Sequence, residues 1–162
     1  MLRIKHKSSG FTLIELIVVI SVAAVISVIG IAAFVSYNQT QSLNTTAADI
    51  ANMFSVAKSR AASGVKPTTG PCFTRTLDGY RISITIPRTY KLDAVCPSGI
   101  SNILTSILPS TISFSTDATF FFAVLTGGFT QTGSSSPPPW PIYLTGFGKS
   151  KTIWVDSLGN VK

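Results

Sequence analysis

The sequence predicts an α+β chain: one long N-terminal helix whose first part spans a membrane, followed by an antiparallel β-sheet domain. Three observations carry this reading. Twenty residues from Leu16 to Val35 are apolar except for Ser21, Ser27 and Gly30. An apolar stripe at helical spacing follows between Leu43 and Ala61. From residue 68 the composition turns to Thr, Ser, Gly, Pro and aromatics, the chemistry of strands and turns. The balance of the 162 residues agrees, with 45% hydrophobic, 12% charged and a mean hydropathy of +0.41. Such a chain is too apolar to be disordered, and one membrane segment attached to a polar domain explains the excess.

Residues 1–10, MLRIKHKSSG, form a short basic leader that ends in a small residue. The run Leu16–Val35 would make about 30 Å of helix, roughly one hydrocarbon core. Arg3, Lys5 and Lys7 lie on its N-terminal side. The positive-inside rule then puts the leader in the cytoplasm and the rest of the chain outside. The run is too long for the core of a cleaved secretory signal, and it carries Glu15 near its start. Glu15 is the only charge between Lys7 and Asp49. A carboxylate at that depth costs on the order of 2.5–3.5 kcal/mol on insertion scales, so it calls for a partner.

Helical character continues past the apolar run. Leu43, Ala47, Ile50, Phe54, Ala57 and Ala61 step by three and four, one face of an amphipathic helix. Gly64 and Pro67 stop it. The reading is a single helix from about residue 12 to 63, roughly 80 Å long. Its assembly and membrane half is 11–35 and its amphipathic half lies within 36–66.

The remainder, 67–162, reads as a β-rich head. Arg75–Thr76 and Tyr80–Ile86 flank Asp78-Gly79, a hairpin signal. Ile82, Ile84 and Ile86 alternate with polar residues, and so does Thr111–Ser115. The apolar run Thr119–Leu125 predicts a central strand buried on both faces. Gly133–Pro141, with Ser134–Pro139 at its centre, reads as an exposed loop, and strands at Ile142–Thr145, Thr152–Asp156 and near Val161 complete the sheet. Asp156–Asn160 reads as a tight turn. The face expected to cover the helix is Ile82, Ile84, Ile112, Phe114 and Trp154.

The run Gly10-Phe11-Thr12-Leu13-Ile14-Glu15, followed by the apolar stretch, resembles the type III signal of type IV pilins and type II secretion pseudopilins. The resemblance covers about the first 35 residues. It implies cleavage after Gly10 by a membrane prepilin peptidase, N-methylation of Phe11, and an assembly role for Glu15. The Glu15 carboxylate of one subunit would pair with the new amine of Phe11 on its neighbour, which would set the stagger of subunits in a helical filament. It further implies an inner-membrane assembly platform with a separate ATPase. Filament and stored subunit would share a single-pass membrane origin with an extracytoplasmic head. The order Leu108-Pro109, Ile112, Phe114, Gly127-Gly128-Phe129-Thr130, Ile153-x-Val155 and Gly159-x-Val161 is similar to the C-terminal domain of the GspH/FimT minor subunits. That similarity favours a minor subunit.

Other chemistry is sparse. Cys72 and Cys96 both fall in the extracytoplasmic part and are expected to form a disulfide, whose loop closure is worth roughly 3–3.5 kcal/mol. A metal or redox pair is the alternative, although the chain's one His, His6, lies in the leader and there is no CxxC. Nucleophilic catalysis of the Ser–His–Asp or Cys–His kind lacks its base for the same reason. Gly146-Phe147-Gly148-Lys149-Ser150 is only a fragment of a phosphate loop, and an ordinary turn explains it. No enzyme activity and no cofactor are expected. The net charge is +7, and without the three leader cations ten Lys/Arg face six Asp/Glu. Arg75, Arg81, Arg88 and Lys91 cluster around one predicted hairpin, interleaved with Tyr80 and Tyr90. Such a patch could hold DNA phosphates. The alternatives to a filament subunit are therefore a DNA-binding minor pilin for DNA uptake and a single-pass anchored binding domain.

Overall fold

The computed structural model describes residues 10–133 and 136–162. The basic leader before Gly10, and Ser134 and Ser135 of the expected exposed loop, lie outside the described residues. The chain falls into two compact units that meet at Asn38–Gln39. The first holds the apolar start of helix α1 (Leu13–Ser63). Every side chain from Leu13 to Asn38 is exposed.

The second unit holds the rest of α1 and eight strands: β1 (Gly79–Thr85), β2 (Thr89–Cys96), β3 (Gly99–Ile107), β4 (Ile112–Phe114), β5 (Ala118–Ala123), β6 (Phe129–Thr132), β7 (Trp140–Gly146) and β8 (Lys149–Val155). They form a five-stranded sheet in the order β3-β2-β1-β5-β6 and a three-stranded sheet in the order β4-β7-β8. Each pairing is antiparallel. The fold is thus α+β, a long N-terminal helix with an antiparallel sheet domain.

All six residues of the predicted helical stripe are buried, joined by Thr46 and Met53. They meet the sheets through Phe54, whose ring lies 5.0 Å from Phe120 and 6.2 Å from Phe122, edge-on to both. The three-stranded sheet adds Ile112, Phe114, Ile142, Leu144, Ile153 and Val155 to the same core. The Lys149 ammonium donates to Thr40 at 2.9 Å and Lys151 to Asn44 at 2.5 Å, tying β8 to the helix flank. The helix ends at Ser63, and Gly64 takes φ +60°, the left-handed stop that glycine accepts without strain. The Ala61 carbonyl accepts from Gly64 N–H at 3.3 Å and from Leu125 N–H at 3.1 Å, and beyond the helix the Val65 carbonyl accepts from the Tyr80 hydroxyl.

Three local expectations are corrected, and one hairpin is added. The first hairpin does not turn at Asp78-Gly79. It turns at 86–88, with Thr85 paired to Thr89, and residues 75–77 form no strand. Gly79 is required for another reason: any Cβ there would collide with the Phe122 carbonyl and the Phe121 ring, which lies across it. The run at 119–125 supplies an inner strand, flanked by β1 and β6, but is not fully buried on both faces. β1 is the central strand, and β5 alternates, with Ala118, Phe120 and Phe122 buried and Thr119, Phe121 and Ala123 half-buried. Trp154 is 45% exposed, because β8 turns Ile153 and Val155 inward and sends the residue between them to the other face. Finally, β2 and β3 were not anticipated as a hairpin. A register shift between Leu92 and Asp93 breaks their alternation.

Candidate functional site

The start of α1 is organised by its own side chains. Thr12 precedes the first helical residue, and Glu15 falls three positions later. The Thr12 hydroxyl accepts from Glu15 N–H at 3.3 Å and donates to Glu15 Oε2 at 3.1 Å. The Thr12 backbone N–H donates to the same oxygen at 3.2 Å. This is a reciprocal capping box, which satisfies two of the helix's orphan donors and sets a negative charge at the positive end of its dipole. Glu15 Oε1 has no partner among the described residues. Gly10 and Phe11 are exposed and lie outside the helix, in extended reach of anything that acts on them. The box is legible in the sequence as Thr-x-x-Glu before an apolar run.

The polar groups of the apolar segment are internally satisfied. Ser21 Oγ donates to the Ile17 carbonyl at 2.8 Å and Ser27 Oγ to the Ala23 carbonyl at 2.7 Å. Neither hydroxyl needs water, so neither interrupts a surface fit for lipid or for packed helices. α1 is the helix long and apolar enough to cross a membrane.

Cys72 and Cys96 are joined, with Cα atoms 5.5 Å apart, and close a loop over β1 and β2. Both ends are seated. Cys72 N–H donates to the buried Ser101 hydroxyl at 3.1 Å, and Gly70 is held so close to Ser101 that no larger residue fits there.

The four candidate nucleic-acid cations are not gathered into one patch. Arg81 Nη2 lies 3.0 Å from Asp93 Oδ2, and Asn102 Nδ2 donates to Asp93 Oδ1 at 2.9 Å. That charge is already answered. Lys91 shares the outer face of the sheet with Arg81, being paired to Ser83. Arg75 lies before β1 and Arg88 in the turn after it, so the two flank opposite ends of that strand in sequence. Tyr80 and Tyr90 are buried on the opposite face and cannot stack on bases. Cross-strand register decides all of this, and a linear sequence does not display it.

Gly146–Ser150 is a hairpin turn. Gly146 pairs with Lys149, and Phe147 and Gly148 both take positive φ, +56° and +70°. Two such residues in succession define the type I′ connection. Among the described residues no group of three or more His, Cys, Asp or Glu is placed to hold a metal.

Residues 5–31 match the family model for the prokaryotic N-terminal methylation motif. No curated protein and no solved structure matches the chain. The match spans the later part of the leader, the capping box and sixteen of the twenty residues of the apolar run. The chain therefore carries the type IV pilin and pseudopilin signal, on a long apolar N-terminal helix followed by an antiparallel sheet.

Proposed function

We propose that this chain is a structural subunit, of the minor class, of a type IV pilus or a type II secretion pseudopilus. The methylation motif in register with the capped helix start carries the reading. Prepilin peptidase cuts after Gly10, on the cytoplasmic face where the basic leader is retained, and the new amine of Phe11 is methylated. The subunit waits in the inner membrane through its apolar segment, with the sheet domain on the far side. Assembly draws it into a filament with other subunits, driven by a separate ATPase at a membrane platform. The protein acts by packing, not by catalysis.

Glu15 is the residue that couples these states. Before assembly its Oε2 is held by Thr12, which lowers the cost of a carboxylate near lipid. On assembly the neighbour's Phe11 ammonium reaches Oε1, and the two charges neutralise each other. A subunit in the wrong register would leave both unpaired, at about 3–5 kcal/mol.

The test is mass spectrometry of the mature N-terminus with filament incorporation measured in parallel. The expected result is a chain that begins at methylated Phe11. Glu15→Gln should keep membrane insertion and the Thr12 contact but cut incorporation at least tenfold. An intact Met1 in the mature protein would sink the reading, and normal incorporation of Glu15→Gln would remove its pairing step.

A further inference from the structure

The hairpin of β7 and β8 runs along the part of α1 that follows the apolar run, and two bonds fix its direction. Lys149 Nζ donates to Thr40 and Lys151 Nζ to Asn44, all within the second compact unit. Two residues of strand advance about 6.6 Å and four of helix about 6 Å, so β8 climbs in step with the helix. The turn before it, Phe147-Gly148, therefore extends past Thr40 toward the N-terminal end of this helix segment. Thr40 is the fifth residue after Val35, where the apolar run ends. Five helical residues span about 7.5 Å, and even a fully extended chain of five reaches only about 18 Å. The polar layer on each side of a hydrocarbon core is about 5–8 Å deep. With the apolar run across a bilayer, the Lys149 end of β8 and the turn before it stand at headgroup level.

The chemistry of that end suits such a place. Phe147 is a bulky residue at φ +56°, in a turn position that Asn or Gly would occupy without strain, and it is 37% exposed rather than packed in the core. The turn itself gains nothing from it. An aromatic ring with one wet side is at home where hydrocarbon meets water. Lys149 and Lys151 bond to a hydroxyl and an amide oxygen, neutral groups that leave their charges intact. No Asp or Glu occurs between Glu15 and Asp49 or between Asp117 and Asp156, so neither the helix segment nor the hairpin brings an acid close in sequence. Lysine stems lie along apolar surface while the ammonium reaches outward to a phosphate.

We propose that the Phe147-Gly148 turn, with Lys149 and Lys151 behind it, docks on the membrane that α1 enters and takes anionic phospholipid headgroups. The ring enters the interface, and the two ammonium groups meet lipid phosphates, the pairing that gives juxtamembrane lysines their preference for acidic lipid. A neutral lipid surface would answer the ring but not the lysines. Docking of this kind rests on the reading of the apolar run as a membrane span and on nothing else in the proposed function. The sheet domain then has a bilayer contact of its own, besides the helix.

The test uses the full chain in vesicles of phosphatidylcholine, with or without phosphatidylglycerol. Both native cysteines are in the disulfide, so one new thiol carries a fluorophore alone. Ser150→Cys places it beside the turn and Ser157→Cys past the opposite end of β8, and both positions are exposed. Lipid with a nitroxide on its headgroup quenches the fluorophore by contact. Quenching at 150 should be at least threefold that at 157, and phosphatidylglycerol should raise it at least twofold in low salt but not in high salt. Phe147→Asn should cut quenching at 150 at least twofold, at an equal or higher melting temperature, because asparagine suits that turn position. Lys149→Gln/Lys151→Gln should abolish the rise with phosphatidylglycerol. Should that variant lose its fold, the salt series on the wild type decides the same point. Leu125→Asn, the same kind of change at a positive-φ residue bonded to Ala61 near the far end of the helix, should leave quenching unchanged. Flotation with the vesicles reads the anchor separately. A chain that does not float overturns the span and the docking together. A chain that floats but is quenched equally at both positions, ignores phosphatidylglycerol, or responds alike to Phe147→Asn and Leu125→Asn overturns the docking alone.

Discussion

The two halves of α1 are one continuous helix with opposite relations to the rest of the chain. From Leu13 to Asn38 the sequence is almost wholly apolar, and the chain buries none of it: Ile17 is 50% exposed and Phe34 65%. From Gln39 to Ser63 the sequence is half polar, yet Ile50 is 0% exposed and Phe54 1%. Hydrophobicity alone therefore does not say what a segment buries against. Periodicity does. The second half confines its apolar residues to one stripe, which two sheets cover. The first half is apolar all round, so its partner surrounds it and comes from outside the chain, as lipid or as other helices.

The sharpest way to break this contrast is one truncation in each half. Phe54→Ala removes the ring that touches both Phe120 and Phe122 and should cost about 3–5 kcal/mol. Phe34→Ala, made in the exposed half, should leave the melting temperature of the sheet domain where it was. Thermal melts of both variants in the same detergent decide the matter, and equal shifts would mean that the halves are not distinct.

The disulfide should matter to the second half alone. Cys72→Ser opens a cross-link between residues 24 positions apart and should cost roughly 3 kcal/mol, or several degrees of melting temperature. Reductant should then add nothing to the variant. Helicity of the membrane half, followed by amide exchange in micelles, should not change.

A smaller effect is expected at the other end. Thr12→Ala removes the capping box and should cost about 1 kcal/mol, seen as faster exchange of the first-turn amides only. Slow exchange in that variant would show that Glu15 caps the helix without help.

Smallest of all is a pH effect in the turn after β8. The Asn160 side-chain amide and backbone N–H, and then the Leu158 N–H, donate to the Asp156 carboxylate and hold its pKa below the ordinary carboxylate value. A depressed carboxylate stabilises the fold above its unfolded pKa, and that support fades as pH falls through the folded value. The wild type should therefore lose a little stability below about pH 4 that Asp156→Asn does not lose. Equal losses in the wild type and in the variant as pH falls below about 4 would contradict this account.

Much of the molecule was legible because its signals are linear. Gly10, Phe11 and Glu15 speak through spacing alone, and the stripe Leu43–Ala61 through a period that one helix enforces. The turn Asp156–Asn160 announced itself by composition, and it is built as read. What could not be read depends on register. The shift between Leu92 and Asp93 breaks the period-two pattern that would have revealed β2 and β3. Trp154 was assigned to the core because it is large and apolar, but its neighbours Ile153 and Val155 hold the inward phase. Arg81 looked like a free cation because Asp93, which answers it, is twelve residues away in sequence and directly across the ladder in space. At the helix start the missed partner was only three residues off. Thr12 was passed over because Glu15 already had an explanation.

The Cys72–Cys96 bond has a consequence for resistance to proteolysis. Four of the chain's trypsin-type sites, Arg75, Arg81, Arg88 and Lys91, lie inside the loop it closes. Arg75 and Arg88 sit in connections rather than strands, where a protease has room to work. A cut after either leaves the two fragments covalently joined, with β1 and β2 still laced to each other and to β5 and β3. The chain can thus be nicked without being shortened, and the domain keeps its place on the helix.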